Sequence, residues 1–194
     1  MDFIMPASAI VNFFYRTALL MLFTTSVLAD NFSVQSATVK KIGNGYVVNA
    51  EMRYPLTSRV IEAIDNSVPI TFLQQLELIN SISILGKYWQ WQETVWTTEL
   101  RYELRYHALT QQYVLLSLDT LHRRNFPTLK SALHALGRVH NLSLPPEHLS
   151  EAEGLILHLR TGLDLHALPT PMRPGALISS KWQLTSPWVA ATWE

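Results

Sequence analysis

The sequence predicts a mainly β fold: an antiparallel β-sandwich or half-barrel of about seven to eight strands, with two short helices covering an end. Three observations lead there. Apolar and polar residues alternate with period two in segment after segment. Turn chemistry separates those segments, with Asn44-Gly45 the strongest hairpin signal. No stretch alternates a strand with a long helix, as a doubly wound parallel sheet requires.

The elements follow in order. Phe32–Lys40 reads as a strand, and Lys41–Tyr46 turns it through Asn-Gly. Tyr46, Val48, Ala50, Met52 and Tyr54 then share one face, with Asn49, Glu51 and Arg53 on the other. Pro55 ends that strand. Ser58–Asp65 is expected to be helical, with Leu56, Val60, Ala63 and Ile64 on one side and Thr57 or Ser58 as cap. In Pro69–Ile79, Ile70, Phe72, Leu76 and Leu78 alternate with Thr71, Gln75 and Glu77. Glu99–His107 is the clearest strand, its apolar face Leu100, Tyr102, Leu104 and Tyr106 and its polar face charges of alternating sign. A turn at Ala108–Gln111 leads into Gln112–Leu118.

Leu129, Ala132, Leu133 and Leu136 recur at helical spacing, with Gly137 placed to stop the helix. Leu142–Gly154 reads as a surface loop around Pro145-Pro146. Leu155, Leu157, Leu159, Leu163 and Leu165 line a last long strand, Pro169, Pro171, Pro174 and Gly175 interrupt the chain, and Trp182, Leu184, Ser186 and Trp188 form a closing alternating segment.

Residues 1–29 are expected to be a signal peptide cleaved after Ala29, leaving 30–194 as a single β-rich periplasmic domain. The apolar run Thr17–Leu28 follows Arg16 and ends in Val27-Leu28-Ala29, a small-residue cleavage pattern. It is shorter than the roughly 20 residues a spanning helix needs, so no stable membrane span is expected once it is cut. The rival is an uncleaved segment anchoring the domain at the inner membrane, because Asp2 lies in a long leader and Phe13, Phe14 and Tyr15 extend its apolar part.

Lys and Arg number 15 and Asp and Glu 15, with no block of one sign, which argues against a nucleic-acid groove. The chain has no cysteine, so disulfides, thiol nucleophiles, thiolate metal sites and a lipid anchor on cysteine all fall away.

Val68–Phe72, Glu99–Tyr106 leading into Leu109–Tyr113, Phe126–Gly137 and Leu168–Trp188 resemble, in order and spacing, an exported proteobacterial family of unknown function, domain of unknown function 4390. Trp182–Trp188 resembles its tryptophan–leucine–serine–tryptophan ending, and Arg160 with Leu168-Pro169-Thr170-Pro171 resembles its arginine strand and exit. The resemblance covers nearly all of the chain after residue 29. It implies an envelope setting and a link to a membrane sensor, and it brings no activity. The chain departs at Ser81–Leu85, where the family suggests a more basic approach to the tryptophans.

Tyr88-Trp89-Gln90-Trp91, with Trp96 behind it, is the first candidate site. Tryptophans here either stack on a partner or ligand or fill the core. The histidines do not reach metal spacing: His158 and His166 on one strand would stand about 26 Å apart at ~3.3 Å per residue. No Gly-x-Ser-x-Gly elbow or paired catalytic carboxylates can be read from the sequence, so no catalytic residue, metal or cofactor is expected. Arg160 is expected to form a cross-strand ion pair with Glu51 or Glu103, its alternative being a bidentate carboxylate clamp.

The expected function is thus non-enzymatic: an envelope protein-interaction module, linked to a membrane sensor or to envelope assembly machinery, with Trp89, Trp91, Trp96, Arg160 and Trp188 as its binding residues. The alternative is a carrier or sensor of a small apolar or glycan ligand, held near Tyr102, Tyr106 and the tryptophans.

Overall fold

A computed structural model of the chain describes residues 31–83, 90–149 and 154–194. The expected signal peptide and Trp89 lie outside the described residues. Ten strands form two sheets, of four and six strands, as the predicted sandwich requires, and no closed barrel forms among the described residues. The first sheet has the order β10-β1-β2-β7 and the second β6-β5-β4-β3-β8-β9. In chain order the strands are β1 (Ser33–Ile42), β2 (Gly45–Arg53), β3 (Ile70–Ser83), β4 (Gln90–His107), β5 (Gln112–Ser117), β6 (Arg123–Phe126), β7 (Arg138–Ser143), β8 (Leu155–Leu163), β9 (Val189–Ala190) and β10 (Thr192–Trp193). Helix α1 (Ser58–Asp65) joins β2 to β3, α2 (Leu129–Leu136) joins β6 to β7, and α3 (Arg173–Ile178) follows β8.

Local chemistry explains the boundaries. Gly43, at φ +60°, makes the β1–β2 turn, a conformation that costs glycine nothing. The Thr57 and Thr128 hydroxyls accept from the Val60 and Ser131 N–H groups, capping α1 and α2. Gly137 ends α2 where a Cβ would lie 2.2 Å from the Met52 carbonyl oxygen, so any larger residue must push α2 off β2.

The inner faces bury Val48, Ala50 and Met52 from β2 with Tyr54 just after it, and Ile70, Phe72, Leu76 and Leu78 from β3. Phe32, Tyr54 and Phe72 stack as a triad, with Tyr54 edge-on to Phe32 at 4.9 Å and to Phe72 at 5.3 Å between ring centroids. A polar thread crosses this core. Gln74, fully buried, donates from Nε2 to the Tyr54 hydroxyl (2.8 Å) and to the Leu136 carbonyl (2.9 Å). The Tyr54 and Thr161 hydroxyls lie 2.9 Å apart, and Thr161 Oγ1 donates to the Leu73 carbonyl. Burial pushes the Tyr54 hydroxyl up to about 12, against the opposing pull of its bonds to Thr161 and Gln74.

The chain end ties the sheets together. β9 pairs antiparallel with β8, and β10 pairs parallel with β1 through Thr38–Thr192 and Val39–Trp193. Between them Ala191 is buried, its N–H bonded to the Leu157 carbonyl at 2.8 Å.

Four segments correct the sequence expectation. Arg123–Phe126 is a strand with no apolar period, because it sits exposed at a sheet edge. Arg138–Ser143, whose end was expected to begin a loop, is a strand, with a register shift opposite it in β2. The Pro-Gly-rich interruption contains α3, since Pro174 occupies the first helical turn, where its missing N–H costs nothing. The closing alternating segment buries Trp182, Leu184 and Ser186 yet makes only the single bridge Gly162–Thr185 among the described residues; the regular pairing comes later, in β9 and β10.

Candidate functional site

Two features of the six-stranded sheet hold the chemistry. The first is a row across its outer face. Register places Arg160 of β8 beside Gln75 of β3, and Gln75 beside Glu99 of β4. Arg160 Nε donates to Gln75 Oε1, Gln75 Nε2 donates to Glu99 Oε1 (2.6 Å), and Arg101 Nη2 donates to Glu99 Oε2 (2.9 Å). The Gln75 hydrogen bond and then Arg101 hold the Glu99 carboxyl below its usual range. The Trp188 ring lies 4.4 Å from the Arg160 guanidinium carbon, a cation–π contact. Arg160 is therefore committed to Gln75 and Trp188 rather than to an ion pair. The expected partners go elsewhere: Glu51 to Arg138 at 3.7 Å and Glu103 to Arg105 at 3.8 Å.

The second feature is the far edge of β4. Its pairing with β5 stops at Tyr102–Ser117, while β3 pairs with it as far as Gln90. The Arg101 N–H donates to Asp119 Oδ2 (2.9 Å) and its carbonyl accepts from Leu118 (2.8 Å), so both backbone groups point toward the β5 side. Backbone polarity alternates along a strand, so Glu99 and Thr97 present theirs to that same side. Among the described residues, no backbone group pairs there from Gln90 to Leu100. The segment carries half-buried Val95, Trp96, Thr98 and Leu100 among exposed Thr97 and Glu99.

A cleft of about 460 Å³ opens at the end of this edge, between the inner face of β4–β5 and strand β7. Its floor is Leu100, Tyr102, Leu115, Val139 and Leu142; Asp119, His122, Arg124, Arg138 and His140 line the rest with Asn141. Burial raises the Tyr102 hydroxyl, with Arg124 pulling it down and Asp119 pushing it up. Two left-handed backbone positions flank the cleft, Leu121 (φ +56°) and Asn141 (φ +52°). Asparagine tolerates that conformation; an exposed leucine there is strained. A separate, mostly apolar groove of about 620 Å³ lies between Met52, Tyr54 and the α2 residues Leu129 and Leu133.

The structure describes the five expected binding residues unequally. Trp89 lies outside the described residues. Trp91 stands on β4 opposite Ile82. Trp96 faces inward opposite Leu78 and packs on the core, so it is no part of an exposed platform. Arg160 and Trp188 meet on the outer row. Of the residues expected around a ligand, Tyr102 lines the cleft, whereas Tyr106 packs against Tyr113 with the rings tilted and their centroids 5.1 Å apart. Arg124, Arg138, His122 and His140 are not legible as a group, because β6, the turn before it and β7 bring them together across the fold. Among the described residues, no three His, Asp or Glu side chains converge as a metal site would need, and no helix is long and apolar enough to cross a membrane.

Comparison with protein-family models matches residues 29–192 to one described as Domain of unknown function (DUF4390). Searches of curated proteins and of solved structures return no match.

Proposed function

We propose, for a chain that belongs to the DUF4390 family, the role of a non-enzymatic periplasmic protein that binds an extended segment of another envelope protein as an added strand. One observation carries this reading: the edge of β4 left unpaired among the described residues, with the Thr97 and Glu99 backbone groups turned outward. Native sheets ordinarily protect such an edge, and an extended partner that adds to it gains a ladder of main-chain hydrogen bonds. Export would follow from cleavage after Ala29, and the link to a membrane sensor names the class of partner to look for. A second reading, a carrier of a small apolar ligand, is favoured by the groove between Tyr54 and α2.

The test is in-cell cross-linking of the tagged protein with mass spectrometry, comparing wild type with Thr97→Pro. Proline removes an outward N–H while leaving the β3 ladder intact. One dominant envelope partner that Thr97→Pro abolishes supports the module; a partner captured equally by both chains rules out strand addition. The same spectra report whether peptides upstream of Asp30 survive.

A further inference from the structure

We infer that the segment taken up along β4 is acidic where it enters the cleft beside β7, an inference that rests on the strand-addition reading above. The geometry sets the place. Leu118 and Asp119 occupy the β4 edge at Arg101, so an added strand takes up the ladder where β5 leaves off. Its end then adjoins the turn before β6, and its inward side chains fall toward Leu100 and the β7 residues Val139 and Leu142.

The charged lining of the cleft leans positive, with Arg124 and Arg138 against Asp119. Arg124 has no carboxylate within 4.0 Å among the described residues. Arg138 has only Glu51, 3.7 Å away in an exposed pair of the kind worth little. His122 and His140 add further donors on the same rim. The one carboxylate among the residues lining the cleft, Asp119, already accepts the Arg101 N–H. In a chain with equal acidic and basic totals, two arginines therefore stand against one lining carboxylate where the open edge ends. Carboxylates on the incoming segment would meet two guanidiniums able to bind them bidentately. A fatty acid could satisfy the charge and the apolar floor, but it has no carbonyls or amides for the outward backbone groups of Thr97 and Glu99. An acidic peptide satisfies all three.

The experiment selects a phage-displayed library of random linear peptides against the full chain purified from cells, in parallel with Thr97→Pro and with Arg124→Glu plus Arg138→Glu. Binding of the recovered peptides is then measured by fluorescence anisotropy at low and high salt. Wild type should enrich peptides with Asp or Glu clustered at one end. Amidating those carboxylates should weaken binding roughly tenfold, about 1.4 kcal/mol, and added salt should weaken it too. The double reversal should instead select Lys and Arg at that end. Should it fail to fold by near-ultraviolet circular dichroism, Arg124→Gln plus Arg138→Gln takes its place, and loss of the acidic preference is expected. Peptides that depend on Thr97 but show no acidic bias overturn this inference and leave strand addition standing. Peptides indifferent to Thr97→Pro overturn both. Sedimentation with phosphatidylglycerol vesicles, with no peptide selected, overturns the inference in favour of an anionic lipid.

Discussion

Where β1 meets β8, the backbone is finished: β9 continues one sheet, β10 continues the other, and Ala191 is buried between them. Where β4 faces β7, the same sandwich stops short, with the β4 edge unpaired among the described residues and charged side chains around a cleft. Both flanks draw on the same β3–β4 hairpin and the same core. The difference lies in length. On the finished flank, all of β8, Leu163 to Leu155, runs along Phe72–Asn80 of β3. On the open flank, β5 covers β4 only from His107 to Tyr102. One flank invests its residues in stability, and the other leaves bonding capacity for something else.

If the flanks differ in this way, mutations on the finished one should cost stability and those on the open one should not. Leu157, fully buried beneath the β9–β10 strap, gives the largest expected effect. Leu157→Ala should lower the unfolding free energy by about 2–5 kcal/mol in urea titration, and a loss below 1 kcal/mol would break the contrast.

Tyr54→Phe comes next. It leaves Gln74 and Thr161 short of a partner in the core, at a cost of roughly 1–3 kcal/mol. It also carries a pH signature. The native hydroxyl holds its proton to about 12, whereas an unfolded tyrosine releases it near about 10. The wild-type contribution is thus present in full below the unfolded value and is lost as pH rises from there through the native value. Thermal melts across that window should fall more steeply for wild type than for Tyr54→Phe; parallel slopes would place the tyrosine outside the closed core.

The smallest effect sharpens the comparison most. Arg124→Glu, at an exposed position, should shift stability by no more than about 0.5 kcal/mol while changing what the cleft selects.

The two-sheet architecture was legible because burial on one face writes itself as alternation, as in Val48, Ala50, Met52 and Tyr54. The start of β4 was not. Around Gln92, Glu93 and Thr94 the side chains are exposed in succession, so no apolar face contrasts with a polar one. The strand was expected from Glu99 and runs from Gln90. That hidden stretch is the open edge itself. Arg160 was legible as a polar residue on a leucine strand, but its partners were not: a neutral glutamine and a tryptophan won over two more distant carboxylates. The cleft could not be read at all, because its cations are separated along the chain and meet only after β7 has folded back on β2.

The parallel pair β1–β10 has a kinetic consequence. Thr38 can find Thr192 only after nearly every intervening residue has been made. The first strand formed therefore waits for the last, and the flank that closes the core is the final one to assemble. Contacts between residues so far apart in sequence slow folding, since the loop between them must be ordered before the pairing returns any free energy. A growing chain leaves this flank open until Thr192 and Trp193 have emerged.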